Sequence, residues 1–155
     1  MAQRLAGRPV DAVFSSPLGR AQVSARMYAD ALSLPVVVVD ELAEIHHGVM
    51  AGLRTEEIDA AFPGALTRRA ADKFTWRFPE GESYADGDLR AGTALEVIAA
   101  AGVVRPLIVS HEMIGRMLLR RLLDITPAEA LAFTHPHGQL YRIDVAAGTL
   151  QEIGA

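Results

Sequence analysis

The segment that most constrains the fold is Pro106-Leu107-Ile108-Val109 running directly into Ser110-His111-Glu112 and then into Met113–Leu123. A short apolar run bounded by proline reads as a buried strand of a parallel sheet. The apolar, cation-bearing stretch after it reads as a helix. A strand feeding straight into a helix places the junction outside the carboxyl end of the strand, at a helix N-terminus. Open parallel sheets bind ligands there, and helix N-termini favour anions, phosphate above all. His111 stands at that junction.

The other elements follow the same alternation. Asp11–Ser15 reads as a strand, with Ser16 as N-cap and Pro17 as first residue of a helix that carries Arg20 and runs to about Leu32. Pro35 stops that helix and opens a strand over Val36–Val39. Glu41–Gly52 reads as irregular, with Gly48 and Gly52 as breakers, and Thr55–Ala61 as a short helix. Residues 63–86 are the least regular stretch and predict a mobile lid or specificity wall. They hold Arg68, Arg69, Lys73, Trp76, Arg77 and the turn Pro79-Glu80-Gly81. A helix over Asp86–Ala101 ends at Gly102, and Thr126-Pro127 opens another. Gln139–Val145 and Thr149–Ile153 read as strands joined by a hairpin turn at Ala147-Gly148. The whole predicts one α/β domain over residues 1–155: a three-layer α/β/α sandwich with a mostly parallel sheet and a C-terminal hairpin.

Composition narrows the function. The chain has 155 residues, enough for one core, and no cysteine, which excludes disulfides and thiolate metal sites. A formal net charge of -4 argues against a nucleic-acid partner. No apolar stretch is long enough to span a bilayer, and the first residues lack the apolar core of a signal peptide. The chain therefore reads as cytoplasmic, without a membrane partner.

Arg20, Glu44, His111 and the pair His46-His47 are the candidates for chemistry. Arg20, early in a helix that follows a strand, can reach over the sheet edge and hold two phosphate oxygens; an isolated helix arginine is ordinarily solvated. Glu44 could protonate a leaving alkoxide if burial or a nearby phosphate raised its pKa; alone, it reads as a surface acid. Adjacent His46 and His47 point to opposite sides of an extended chain and make a poor metal pair, so no metal is expected. His111 has the strongest context. His135 and His137 flank Pro136 and read as structural or pocket-rim residues.

Taken in order, four segments resemble the histidine phosphatase superfamily, the phosphoglycerate mutase-like proteins. Ser15-Ser16-Pro17-Leu18-Gly19-Arg20-Ala21 is similar to the family's SSPLxRA segment, which implies Arg20 as its phosphate-clamping arginine and Ser15 as a substrate contact. Leu42-Ala43-Glu44-Ile45-His46-His47-Gly48 resembles the segment with the proton-donor acid, implying Glu44 in that role and His47 as a substrate contact. Pro79-Glu80-Gly81-Glu82-Ser83, with Asp86 and Arg90, resembles the family's GGES-type stretch. Ser110-His111 resembles its strand-end SHG, implying His111 as the histidine that touches the phosphoryl oxygens. The resemblance implies a small phosphorylated substrate and no cofactor.

Two departures stand out. Glu112 replaces the family's glycine; its N–H can face an anion, but its carboxylate repels a dianion unless it turns away. The family also opens with a strand ending in Arg-His-Gly, whose histidine is the nucleophile. Here no histidine precedes His46, and Met1–Gly7 resembles the end of the helix that follows that motif. The expectation is an N-terminally truncated chain with its first strand missing, inactive by the phosphohistidine route. The gap beside Leu107–Val109 would be closed by a sheet shift or by homodimerisation. Three readings compete: a phosphomonoesterase (or a mutase) whose full gene product supplies the nucleophile; a non-catalytic pseudo-phosphatase; and an unrelated α/β domain in which Arg20, Glu44 and His111 do not meet. The DNA upstream of the Met1 codon separates the first two.

Overall fold

The computed structural model describes Leu5, residues 7–136 and residues 138–153. Strand β1 (Ala12–Ser15) lies between β2 (Val36–Val38) and β3 (Pro106–Val109), and both pairings are parallel. Val13 stands opposite Val36 on one side and Leu107 on the other.

Strand alternation divides the core into two faces. On one, fully buried Val13 packs with Val36, Leu107 and Val109 against helix α1 (Gly19–Leu32). Ala21, Ala25 and Ala29 recur every fourth residue and are buried, so a stripe of small side chains lets α1 lie close to the strands. On the other face, Phe14 and Ile108 pack under helices α4 (Tyr84–Ala100) and α5 (Glu112–Leu123) through Ala94, Ile98, Ile114 and Met117. The result is the expected three-layer sandwich. Helices α2 (Thr55–Ala61) and α3 (Ala65–Ala71) fall between β2 and α4, and α6 (Pro127–Ala132) follows α5. Strands β4 (Tyr141–Asp144) and β5 (Thr149–Glu152) form the predicted antiparallel hairpin as a sheet of their own. The outer edge of β3 has no strand partner among the described residues.

Three departures from the sequence reading have a local reason. Helix α1 starts at Gly19, not Pro17, because the Ser16 N–H continues the sheet by donating to the Val109 carbonyl (2.9 Å). Helix α4 starts at Tyr84, not Asp86: Ser83 Oγ accepts from the Asp86 N–H (3.1 Å) while the Asp86 carboxylate accepts from the Ser83 N–H (2.7 Å), a reciprocal cap. Helix α3 forms inside the supposedly irregular 63–86 stretch, where Ala65-Leu66-Thr67-Arg68-Arg69-Ala70-Ala71 is mostly strong helix formers. Of Met1–Gly7, only Leu5 and Gly7 fall within the described residues, so the expected helix end there lies outside them, as does His137.

Candidate functional site

The carboxyl ends of β1 and β3 arrive side by side, and His111 sits between them. Its Nδ1 receives the Arg20 Nε–H at 3.1 Å, and its Nε2 lies 2.7 Å from Ser16 Oγ. A guanidinium only donates, so Nδ1 is the acceptor and the neutral ring carries its proton on Nε2, donating to Ser16. Burial, then the Arg20 charge, lowers the His111 pKa below the ordinary imidazole value, while Glu44 pulls the other way. Ser110 is anchored separately, its hydroxyl donating to the Leu42 carbonyl (2.8 Å).

Glu44 reaches the same corner from the loop after β2. Its Oε1 accepts from the N–H groups of Ile45 (2.9 Å) and Ile114 (3.0 Å), and its Oε2 from Met113 (3.1 Å). With His111 at the N-cap of α5, Met113 and Ile114 are its second and third helical residues. Glu44 thus caps α5 from 69 residues away in the chain. This corrects the expectation that the start of α5 is an open anion seat, because two of its N–H groups are committed to Glu44. The polar edge left beside it is formed by Arg20 and His111.

Arg90 and Glu82 hold the Glu44 loop in place. Arg90 Nε and Nη2 make a two-bond pair with the Glu82 carboxylate (2.9 and 2.8 Å). Its Nη1 donates to the carbonyls of Glu41 and Ala43, each at 2.7 Å, and Nη2 also donates to the Glu44 carbonyl (3.3 Å). Glu82 in turn accepts from the His46 N–H (2.8 Å). Burial pushes the Glu82 pKa up, but Arg90 and the His46 N–H outweigh it and hold it below the usual carboxylate range. Gly48 and Gly81 let the two loops meet backbone to backbone; a Cβ on Gly81 would stand 2.3 Å from the His46 carbonyl oxygen.

The remaining candidates divide. His47 is half-buried, stacked on Phe78 (4.4 Å between centroids), with Nε2 3.0 Å from Met113 Sδ. Burial lowers its pKa. Ser15 is buried and its hydroxyl donates to the Ser16 carbonyl, so Ser16, read from sequence as a helix cap, is the serine that touches His111. The Glu112 side chain turns to Arg116 (2.6 Å), which removes the repulsion expected beside an anion. His46 is exposed, and His135 packs against Phe133 and Tyr141. Among the described residues no group of three metal-ligating side chains comes together, and no helix is long and apolar enough to cross a membrane.

An open cleft of about 530 Å³ lies beside this corner, lined among others by Arg20, Glu44, His47, Glu82 and Arg90. His111 is not part of the lining and joins through its bond to Arg20. A sequence model of the histidine phosphatase superfamily (branch 1) matches residues 1–153. The chain belongs to that superfamily. Over 148 residues it is 33% identical to "Probable phosphoglycerate mutase GpmB" of Yersinia enterocolitica, covering 93% of this chain and 67% of that protein. Over 134 residues it is 29% identical to phosphoserine phosphatase 1 of Hydrogenobacter thermophilus, covering 86% of this chain and 64% of the relative. The mycobacterial glucosyl-3-phosphoglycerate phosphatase, solved with inorganic phosphate, superposes with a TM-score of 0.73 at 28% identity, covering 85% of this chain and 68% of that one. As a superfamily member with phosphoglycerate mutase-like relatives, the chain has the fold that the ordered motifs imply. Arg20, Glu44 and His111, 91 residues apart at the extremes of one hydrogen bond, meet in one corner. Arg90 and Glu82 were visible in the sequence only as parts of a motif, with nothing to show that they strap the Glu44 loop.

Proposed function

We propose that the Arg20–His111 edge binds the phosphoryl group of a small phosphate monoester, and that the chain carries the anion-binding and proton-donating part of a phosphomonoesterase. The observation that carries this reading is the 3.1 Å bond between Arg20 Nε and His111 Nδ1 with the Glu44 carboxylate beside it. Arg20 keeps both Nη groups for two equatorial oxygens, and His111, still accepting from Arg20 through Nδ1, turns its Nε2–H from Ser16 to a phosphoryl oxygen. Glu44 Oε2 accepts a single bond from protein, which leaves it a lone pair to carry the proton for a leaving oxygen.

In the reaction that the family resemblance implies, a histidine attacks phosphorus in line. The N–P bond forms, the ester P–O bond breaks with the Glu44 proton going to the leaving oxygen, and water then cleaves the N–P bond. His46 and His47 line the same cleft, but neither is hydrogen-bonded to Arg20, Glu44 or His111, so these 155 residues by themselves are expected to bind the ester without turning it over. Hydrolysis is preferred to mutase-type transfer because the cleft is open and the 63–86 stretch offers little to exclude water. A cytoplasmic setting belongs to the same proposal.

Calorimetric titration with inorganic phosphate, beside an assay with p-nitrophenyl phosphate, tests it. Binding that weakens in Arg20→Ala, with no turnover, is the expected result. A chain that ignores phosphate, or binds it equally well without Arg20, sinks the site. Histidine-linked phosphate on this chain sinks the claim of no turnover.

A further inference from the structure

Helix α5 opens on a carboxylate. His111 is its N-cap and Glu112 its first helical residue, so a negative side chain leaves the backbone one residue from the imidazole. Two general forces draw such a side chain toward the helix N-terminus. The Cα–Cβ bond of a helical residue tilts that way, and the positive end of the helix dipole favours the charge. Glu44 already brings one carboxylate to that end through Met113 and Ile114. A second one turned back to the corner would oppose an anion held by Arg20 and His111.

Glu112 points the other way. Its Oε1 accepts from Arg116 Nη2 at 2.6 Å. A Glu–Arg pair at this spacing is commonplace on solvated helix faces, where either side chain is free to leave. Arg116 is not free: its side chain is 11% exposed, against 49% for Glu112. Its Nε donates to the Phe133 carbonyl at the end of α6 (2.8 Å), and Nη1 donates to the Tyr84 hydroxyl at the start of α4 (2.7 Å). Two neutral acceptors on other elements therefore fix the guanidinium, and its remaining nitrogen is aimed at Glu112. Among the described residues Glu112 is the only carboxylate paired with it, so releasing the pair would leave a buried cation uncompensated. Lys73 lies in the same field; burial and Arg116 lower its pKa, and Glu112 raises it.

We propose that Arg116 is a positioning residue for the anion seat: anchored by Phe133 and Tyr84, it draws the Glu112 carboxylate along α5 and keeps it out of the Arg20–His111 corner. The inference rests on the phosphoryl-site reading above and adds what sets the affinity of that seat. Through this one side chain, the packing of α4 and α6 on α5 acts on the site.

The first test moves the carboxylate without touching Arg116. Glu112→Asp shortens the side chain by one carbon–carbon bond, about 1.5 Å, which takes it out of bonding range of Nη2. Glu112→Gln removes the charge. Position 112 is exposed, so the full 155-residue chain is expected to fold with either change. In calorimetry, inorganic phosphate should bind Glu112→Asp about fivefold more weakly than the unaltered chain, and Glu112→Gln at least as tightly as that chain. An NMR titration of the His111 ring without ligand should give a higher midpoint in Glu112→Asp than in Glu112→Gln, because a nearer carboxylate favours the imidazolium. Arg20 and Glu44, which also act on that ring, are the same in both. Arg116→Gln releases Glu112 from the other end. Phosphate binding should weaken, and adding Glu112→Gln should restore it, a recovery that a merely structural arginine does not allow. If Arg116→Gln does not fold, the two variants at position 112 decide alone. Equal affinities or equal midpoints in those two overturn the proposal, as does a folded double variant that binds no better than Arg116→Gln. If the unaltered chain binds phosphate and needs Arg20 while the Asp and Gln variants are alike, this inference alone fails. If the unaltered chain does not bind phosphate, the phosphoryl-site reading fails and takes this one with it.

Discussion

Arg20 Nε and His111 Nδ1 are bonded to each other at 3.1 Å across 91 residues of chain, and this fixes the imidazole as a neutral acceptor toward Arg20 and a donor toward Ser16. The bond is a pre-organised one: α1 brings the guanidinium from the end of β1, and the β3–α5 junction brings the ring. An oxyanion entering the corner meets both groups already oriented, and little ordering remains to be done on binding.

Arg20 is exposed, so its removal affects binding much more than folding. Arg20→Ala is expected to weaken inorganic phosphate by roughly 10- to 100-fold, the loss of about 1.5–3 kcal/mol of charge-assisted bonding. Arg20→Lys recovers only part of that, since an ammonium cannot hold two oxygens in a fixed fork. Calorimetry reads the affinities; an unchanged urea midpoint confirms that folding is intact.

The lowered His111 pKa has a sign that can be followed in solution. In the unfolded chain the imidazole titrates near 6.5, while in the native state it titrates lower because burial and Arg20 disfavour the cation. Between those two values the unfolded chain holds a proton that the native one does not. The stability contribution is thus complete above about pH 6.5 and is lost as pH falls through the folded value. Following the His111 ring protons by NMR should give a midpoint below 6.5, moved upward by added phosphate because a dianion favours the imidazolium. A midpoint that phosphate leaves in place would separate His111 from the anion site.

The sequence made some of this legible and concealed the rest for identifiable reasons. The Pro106–Val109 strand and the helix after it follow from local pattern, because apolar runs, prolines and periodicity act over a few residues. The roles expected of Arg20, Glu44 and His111 rest on ordered motifs, since each residue alone is ordinary. What could not be read was where hydrogen-bond capacity goes. The α5 N-terminus appears open in sequence and is filled by Glu44 from another loop. Ser15 and Ser16 are chemically equal in sequence; only the bond from Ser16 N to the Val109 carbonyl decides which hydroxyl is turned to His111. Arg90 binds three carbonyls of the 41–44 loop, and no side-chain pattern encodes an interaction with main chain.

Glu44 supports the helix and also places negative charge beside the proposed anion seat, so its variants should separate stability from affinity. Glu44→Ala frees the N–H groups of Ile45, Met113 and Ile114 and is expected to cost about 2 kcal/mol, at the upper end for loss of a helix cap. Glu44→Gln keeps one acceptor oxygen and costs less. Both remove a negative charge from the corner, so inorganic phosphate should bind more tightly to each variant that remains folded. Urea denaturation and calorimetry on the same samples read the two effects. Weaker phosphate binding in Glu44→Gln would mean that the carboxylate acts on the anion through something other than charge.

Four glycines give the last prediction, because they separate close approach from backbone strain. At Gly48 the backbone is left-handed (φ 56°) and an added Cβ would stand 1.8 Å from the Pro79 carbonyl oxygen; at Gly81 the clash is with the His46 carbonyl at 2.3 Å. Neither obstacle is a side chain that can swing away, so the 46–48 and 79–81 loops must part and carry Glu82 away from His46. Gly102 is also left-handed (φ 68°) but faces open space, and Gly19 is helical with nothing near it. Substitution by alanine should therefore cost the most at Gly48 and Gly81, about 3 kcal/mol or more. At Gly102 the expected cost is about 1 kcal/mol from strain alone. At Gly19 the change should be stabilising by up to about 1 kcal/mol, because alanine restricts the unfolded chain and favours the helix. Urea midpoints of the four variants give the order. Costs at Gly48 or Gly81 no larger than at Gly102 would show that the two loops do not meet backbone to backbone, and that Glu44 is held in place by the Arg90 side chain alone.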